Sequence, residues 1–363
     1  MNATLIHESN EAACERASAT IEVVDPRLVA GWDSLIETRS DRSFFHSAAW
    51  ANVLCDTYGF EPLHIVVRRG GEVVSVLPVM EVNSPLTGKR GVSLPFSDFC
   101  RPLGANPADL GEMLKAALEL GRRRQWKYFE CRGTDVRAAF PEAVPSCAYI
   151  EHIVELGDEE KAFKKLKTEV RTAIRRAGQN GISIKIDNTM DGVREFFRMH
   201  CECRQRHGVP PQPFQFFEHI WKHVLREGKG ALHLALHEGT AVASAVFLHS
   251  GRQVIYKFGA SDRRCQQLRA NNHLFWEAIK TFSLQGYEAM NMGRTTVSDD
   301  GLRRFKRGWG AEETPLEYFR YDFRQSRFTT GKDDTEGWHT AVFRKLPIPV
   351  NRLLGRVLYR HMG

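Results

Sequence analysis

The sequence predicts an α/β (α+β) protein of two units. Three observations lead there: a length of 363 residues, a mixture of alternating and helical-period apolar runs, and one element order that occurs twice. A single hydrophobic core rarely grows beyond about 250–300 residues, so two cores are expected. In order, residues 1–20 are polar and expected to be frayed. A strand starts at Ile21, and a helix follows from about Asp25 to Arg39. The string Ser43-Phe44-Phe45-His46-Ser47-Ala48-Ala49-Trp50 opens the next helix, with Ser47 as its N-cap. Alternating runs Leu63 to Arg68 and Val73 to Met80 read as a hairpin across Arg69-Gly70-Gly71-Glu72. Leu94 to Asp98 reads as a loop, Ala108 to Arg124 as a helix and Gln125 to Cys131 as a strand.

A second cycle begins near Tyr149. Strand Tyr149–Glu155 leads to a helix from about Glu159 to Ala177, ended by Gly178, then to strand Ile182–Ile186. A helix from Met190 to His207 is broken by the proline-rich stretch 208–213 and resumes from Phe214 to Arg226. Strands Ala231–His237, Ala241–His249 and Gln253–Phe258 follow, then a helix Asn272–Leu284 and a strand Ala289–Met292. The expected domains are 1–148 and 149–322, with 323–363 as a linker and basic amphipathic tail.

With 42% hydrophobic and 26% charged residues and no bilayer-length apolar stretch, the composition is that of an ordinary folded protein. The first residues have neither a basic start nor an apolar run, so no signal peptide is expected. Eight cysteines form no framework pattern, which suits free thiols and a cytoplasmic location. The formal charge of +7 favours an anionic partner such as a nucleotide, tRNA, phospholipid headgroup or diphosphate-linked sugar.

Four stretches could carry chemistry. The helix 161–176 has a basic stripe, Lys164, Lys167, Arg171 and Arg175, with Glu169 as its one acid, a pattern that an anion would relieve. The segment Tyr256 to Gly310 reads strand, basic loop, helix, strand, then a loop offering Lys306 between Phe305 and Trp309. Arg269 and amides near Asn271 and Asn272 form a candidate phosphate site, although no glycine lies between Gly259 and Gly286 to let backbone wrap a pyrophosphate; the other reading of this segment is an Asn-capped helix with a solvated loop. Asp300 is a candidate general base, and Tyr256 and Tyr318 are candidate donors to an oxyanion. His219 and His223 lie at i, i+4, but they lack the intervening Glu and a second ligand pair, so no metal is expected. There is no Gly-x-Ser-x-Gly elbow and no P-loop.

These pieces resemble a known family. Ser43 to Ser47 with Trp50, the basic run Arg171 to Ala177 followed by Asn180-Gly181, and Tyr256 to Ser261 look like the FemAB-type aminoacyltransferases of the GNAT-like acyltransferase superfamily. Asn291-Met292-Gly293-Arg294 and the run Gly301 to Gly310 match best, and within the superfamily the chain resembles the FemAB-related proteins of exosortase (PEP-CTERM) and exopolysaccharide systems. The resemblance implies two tandem GNAT-like domains with mixed central sheets flanked by helices. It implies transfer of an acyl or aminoacyl group from acyl-CoA or aminoacyl-tRNA to an amine of a peptidoglycan- or exopolysaccharide-related precursor. The implied site residues are Lys306 with Phe305, the arginines Arg171 and Arg175 for precursor phosphates, and Arg294 and Trp309 in the closing motif. The chain departs from the pattern at Arg269-Ala270-Asn271-Asn272, where a glycine-rich CoA loop is usual, and at His46, where a glutamine is frequent.

The mechanism expected is ternary-complex transfer without a covalent enzyme intermediate; the alternative is a non-catalytic module that binds a lipid-linked sugar or another anion. The tail 343–361 carries five Lys/Arg residues and no acid among Val350, Leu353, Leu354, Val357 and Leu358. It suits either an anionic membrane surface or the protein's own surface.

Overall fold

The computed structural model describes residues 19–331 and 338–363. Residues 1–18 of the polar start and 332–337 of the tail linker lie outside the described residues. Strand β1 (Thr20–Val24) precedes a short helix α1 (Trp32–Glu37). The helix expected from Asp25 is cut to its last third because Gly31, with φ 72°, turns the chain left-handed just before Trp32. Helix α2 (Ala48–Tyr58) begins where expected, with the Ser47 hydroxyl accepting from the Trp50 N–H. Strands β2 (Glu61–Pro62), β3 (His64–Arg69), β4 (Glu72–Leu77), β5 (Met80–Ser84) and β6 (Gly88–Val92) follow. Helix α3 (Pro107–Arg124) then leads to β7 (Tyr128–Arg132).

Strand β8 (Cys147–Glu155) opens the second cycle. The helix expected from Glu159 to Ala177 is two, α4 (Glu159–Lys165) and α5 (Thr168–Gln179), because Leu166 and Lys167 are extended. Then come β9 (Ser183–Ile186), α6 (Met190–Arg206), α7 (Phe214–Ile220), β10 (Gly230–His237), β11 (Thr240–Ser250) and β12 (Gln253–Ser261). Helix α8 (Ala270–Leu284) and strand β13 (Ala289–Thr296) follow. The expected Lys306 loop is a helix, α9 (Asp300–Gly308), started by the Asp299 carboxylate accepting from the Leu302 N–H. Strands β14 (Glu312–Asp322) and β15 (Arg327–Thr329) and helices α10 (Trp338–Lys345) and α11 (Ile348–Leu358) complete the chain. The linker expected after Arg324 therefore contains a strand.

Two compact units form, and neither is one continuous stretch. Of the described residues, one holds 19–41, 60–146 and 317–331; the other holds 42–59, 147–316 and 338–363. The expected boundary near 148 is close to the Ser146/Cys147 division, but 42–59 and 317–322 belong to the unit other than the one assigned from chain order. Packing explains the first exchange, since Trp50 of α2 stacks against Phe216 of α7 with ring centroids 6.0 Å apart.

In the first unit β1, β3 and β4 make one antiparallel sheet, and β2, β5, β6, β7 and residues 317–322 of β14 continue as a second. In the second unit the order is β8-β13-β12-β11-β10-β9. Each unit contains a parallel pair, β6/β7 and β12/β13, and each pair is joined through a helix, α3 or α8. Both units thus lead from antiparallel strands into a parallel crossover, but the first divides its strands between two sheets where the second keeps one. The second core is aromatic-rich, with Trp309 stacked on Phe275 at 4.7 Å.

Candidate functional site

The site lies where β12 and β13 part. Their parallel pairing covers only Gln253–Ile255 against Ala289–Asn291, although β12 runs on to Ser261 and β13 to Thr296. Beyond Ile255, β12 carries a bulge against β11, the register slipping between Val246 and Phe247 so that Lys257 is the extra residue. The Lys257 ammonium lies 5.1 Å from the Phe45 ring centroid and 5.8 Å from that of Trp50. Strand β13 carries a second bulge against β8 between Asn291 and Arg294. Asn291 braces it, donating to Glu151 at 2.7 Å and accepting from the Gly293 N–H at 2.7 Å.

A cleft of about 840 Å³ opens beside this divergence, lined by the end of β12, the start of α8, one face of α5, the end of α6, part of β11 and Phe305 of α9. Tyr256 lines it. A Cβ on Gly259 would lie 1.8 Å from the Tyr256 hydroxyl oxygen, so glycine is what lets the phenol occupy this place. Burial, with Cys203 adding to it, pushes the Tyr256 hydroxyl up to about 12. Among the described residues that hydroxyl has no hydrogen-bond partner of its own, so it is available to a ligand.

At the start of α8, Arg269 is left-handed, with φ 57°, and no side chain caps the helix; the Asn cap expected here is not formed. Arg269, Ala270, Asn271 and Asn272 at this helix start line the cleft, and the Asn272 N–H already donates to the Arg269 carbonyl at 3.0 Å, which leaves the amides of Ala270 and Asn271 as those without a side-chain cap. From α5 the lining residues are Thr168, Glu169, Val170, Thr172, Ala173 and Arg176. Arg176 and Arg269 form no side-chain ion pair among the described residues. Arg206 also lines the cleft but donates to the Ser261 carbonyl at 3.0 Å. Burial, then Arg204, Arg206 and Arg344, hold His207 below its usual range, so the positive charge along this wall is arginine rather than imidazolium.

Several expected residues lie elsewhere. Arg171 and Arg175 do not line the cleft: Arg171 donates to the Thr168 hydroxyl at 3.2 Å, and Arg175 lies over the Phe163 ring at 5.6 Å. At 100° per residue Arg176 is the helix position that turns inward. Lys306 is buried and donates to the Gly293 and Arg294 carbonyls at 2.9 and 3.0 Å, so it ties α9 to the β13 bulge. Its neighbour Phe305, 45% exposed, is the member of the Phe-Lys pair that reaches the cleft. Asp300 is exposed on the first turn of α9, 3.7 Å from Arg303, and lines no part of the cleft. Arg294 stacks on Tyr149 at 3.8 Å. Trp309 is core, and Tyr318 is a buried residue of the first unit whose hydroxyl donates to the Asp98 carbonyl.

Sequence reasoning missed Arg176, Cys203, Arg206, His207, Cys265 and Gln266, all of which line the cleft. The repeat Thr168/Glu169, Thr172/Ala173, Arg176 was a signal, since it marks a second polar face of α5. His219 and His223 make structural contacts, to the Thr57 hydroxyl at 2.9 Å and the Asp56 carboxylate at 2.7 Å. Among the described residues no cluster of His, Cys, Asp or Glu is placed to hold a metal.

A bulged strand diverging from its parallel neighbour, with an uncapped helix start at the mouth, belongs to a mixed α/β fold consistent with tandem GNAT-like domains. A family model described as an acetyltransferase (GNAT) domain matches residues 164–308, the stretch that builds the cleft. The chain superposes on the crystal structure of FemX with a TM-score of 0.66 at 14% identity, covering 85% of this chain and 98% of that one. A tandem GNAT protein from the clavulanic acid biosynthesis pathway gives a TM-score of 0.50 at 11% identity, over 84% and 98% of the two chains. A UDP-N-acetylmuramoylpentapeptide-lysine N(6)-alanyltransferase of Weissella viridescens is 19% identical over 181 residues, 48% of this chain and 52% of the relative. The match thus spans about half the length of that curated relative.

Proposed function

We propose that the protein transfers an acyl or aminoacyl group from an activated donor, acyl-CoA or aminoacyl-tRNA, to an amine of a nucleotide- or lipid-linked cell-envelope precursor of the peptidoglycan or exopolysaccharide type. The observation that carries this reading is the Tyr256 hydroxyl, open to a cleft that also holds two unpaired arginines and an uncapped helix start. The likeness to the FemX structure and to the alanyltransferase supports the choice of chemistry and of acceptor class. The narrower placing among exosortase-associated relatives rests on the sequence motifs alone.

In the proposed reaction Arg176, Arg269 and the first amides of α8 hold the donor's phosphates, and Phe305 packs against its organic part. The acceptor amine attacks the acyl carbonyl and loses a proton to solvent or a substrate phosphate. Tyr256 donates a hydrogen bond to the developing oxyanion, which then expels the thiolate or ribose oxygen. Cys203 has no hydrogen-bonded base among the described residues, so direct transfer is favoured over a covalent relay. Lys306 acts by fixing the bulge rather than by touching substrate.

The test incubates the protein with labelled acyl-CoA or aminoacyl-tRNA and a UDP-linked muropeptide, with Arg176→Ala and Arg269→Ala variants alongside. Turnover is expected with at least one donor, each variant raising the donor KM about tenfold and weakening its salt dependence. Donor binding without turnover of any acceptor amine would favour the non-catalytic module instead.

A further inference from the structure

We propose that the outward face of α11 is a docking surface for an anionic lipid bilayer. The helix is fastened to the second unit along one side only. Gly355 lies so close to the Pro211 carbonyl oxygen that an added Cβ would sit 1.9 Å from it. Tyr359, just past the helix, donates to the Pro210 carbonyl at 3.1 Å and accepts from Arg204 at 2.7 Å. Asn351 donates to the Phe343 carbonyl at 2.8 Å, holding α10 against α11. These small and polar residues face inward, the reverse of an ordinary amphipathic helix.

The apolar residues face out. Val350, Leu353 and Val357 are 41%, 61% and 50% exposed, at the three- and four-residue spacing of a single stripe. Arg356 and Arg360 stand along one edge of it, four residues apart, while Arg352, one turn earlier, lies over the Phe197 ring of α6 at 5.1 Å. Between residues 338 and 363 there is no acid, whereas Arg344 and Lys345 add two further cations. Val342 and Met362 are exposed too, at 44% and 43%.

The choice of partner follows from this pairing of chemistries. An RNA would be met by the arginines but would leave three branched apolar side chains against water or phosphate. A second copy would bring one acid-free helix against another, with no carboxylate to offset the like charges. An anionic bilayer satisfies both halves, since the acyl boundary takes the apolar stripe and the headgroup phosphates take the arginines. No described helix is long and apolar enough to cross a membrane, so the contact lies in the interface plane.

Cosedimentation of the full chain with vesicles tests the proposal, using phosphatidylcholine alone and phosphatidylcholine with about one-third phosphatidylglycerol. The wild type is expected to pellet with the anionic vesicles and to stay in solution with the neutral ones. A Leu353→Gln/Val357→Gln variant and an Arg356→Ala/Arg360→Ala variant should each lower the partition coefficient about tenfold or more. Both pairs are exposed, and unchanged thermal melts would show that folding is retained. Wild-type protein left in solution with anionic vesicles, or binding that neither variant weakens, would overturn the proposal. So would a lipid-free dimer, seen by light scattering, that the Leu353→Gln/Val357→Gln variant abolishes. This surface is independent of the acyltransferase reading, and the vesicle assay needs no turnover.

Discussion

Because burial, reinforced by Cys203, pushes the Tyr256 hydroxyl up to about 12, the phenol keeps its proton throughout the neutral range and acts as a donor rather than a base. Replacing it by Phe removes the hydrogen bond while preserving the ring that packs on Phe247 and Phe275. The Tyr256→Phe variant is therefore expected to lose about a hundredfold in kcat with donor affinity unchanged, measured by steady-state kinetics and by titration of the donor. Lys306 calls for a different measurement. Its ammonium donates to two carbonyls at the β13 bulge, and Lys306→Met would remove both bonds from a buried place. A loss of about 2–4 kcal/mol in denaturant unfolding is expected. A full-stability Lys306→Met protein with no activity would instead return the lysine to the chemistry. Neither role is legible from residue type alone, since tyrosine and lysine serve cores and active sites equally well.

At the scale of elements, most positions were readable and most faces were not. The Ser47 cap, the 69–72 hairpin turn and α8 lie where local chemistry puts them. The break between α4 and α5 has no proline or glycine to announce it. It arises where the extended Lys167 N–H donates to the Gly308 carbonyl at 2.9 Å, so that amide is satisfied by a tertiary partner instead of a helical one. That break sets the rotation of α5 and so decides that Arg176, rather than Arg171 or Arg175, faces the cleft. Likewise Asp299 caps α9, and the aromatic-lysine loop becomes a helix whose two sides part company, with Phe305 toward the cleft and Lys306 inward. For the tail, the prediction follows from contact at Gly355. A Gly355→Val substitution cannot be accommodated against the Pro211 carbonyl, so α11 should undock. Hydrogen–deuterium exchange would show faster exchange confined to about residues 340–361, with the amides of β10 to β13 unchanged.

The whole molecule is two units, each with a parallel strand crossover and each taking in a piece from across the chain, 317–331 in the first and 42–59 in the second. Its stability should carry an acid-side dependence seated in the second unit. His233 is fully buried between Phe247 and Phe282, both ring nitrogens without partners, and burial lowers it to about 4. His200, bonded to Gln212 at 2.9 Å, is lowered to about 3 by burial and then by Arg204. Below their ordinary 6.5 the unfolded chain takes up protons that the folded chain refuses, so stability falls as pH drops from 6.5 toward 4 and 3. Each group withdraws on the order of 3 kcal/mol by the end of its window. Urea midpoints taken between about pH 7 and pH 4.5 should show that slope, and His233→Leu should flatten it. The sequence by itself determined what depends on neighbours along the chain: the α/β class, the doubled element order, the main helix and strand positions, the basic balance and the acid-free tail. Tertiary structure alone decided which strands close which unit, which arginine reaches the cleft, that Lys306 braces a bulge, and that the tail packs by its polar side and exposes its apolar one. Those outcomes depend on contacts between residues more than a hundred positions apart, such as Phe45 with Lys257 or Pro211 with Gly355, and no local periodicity encodes them.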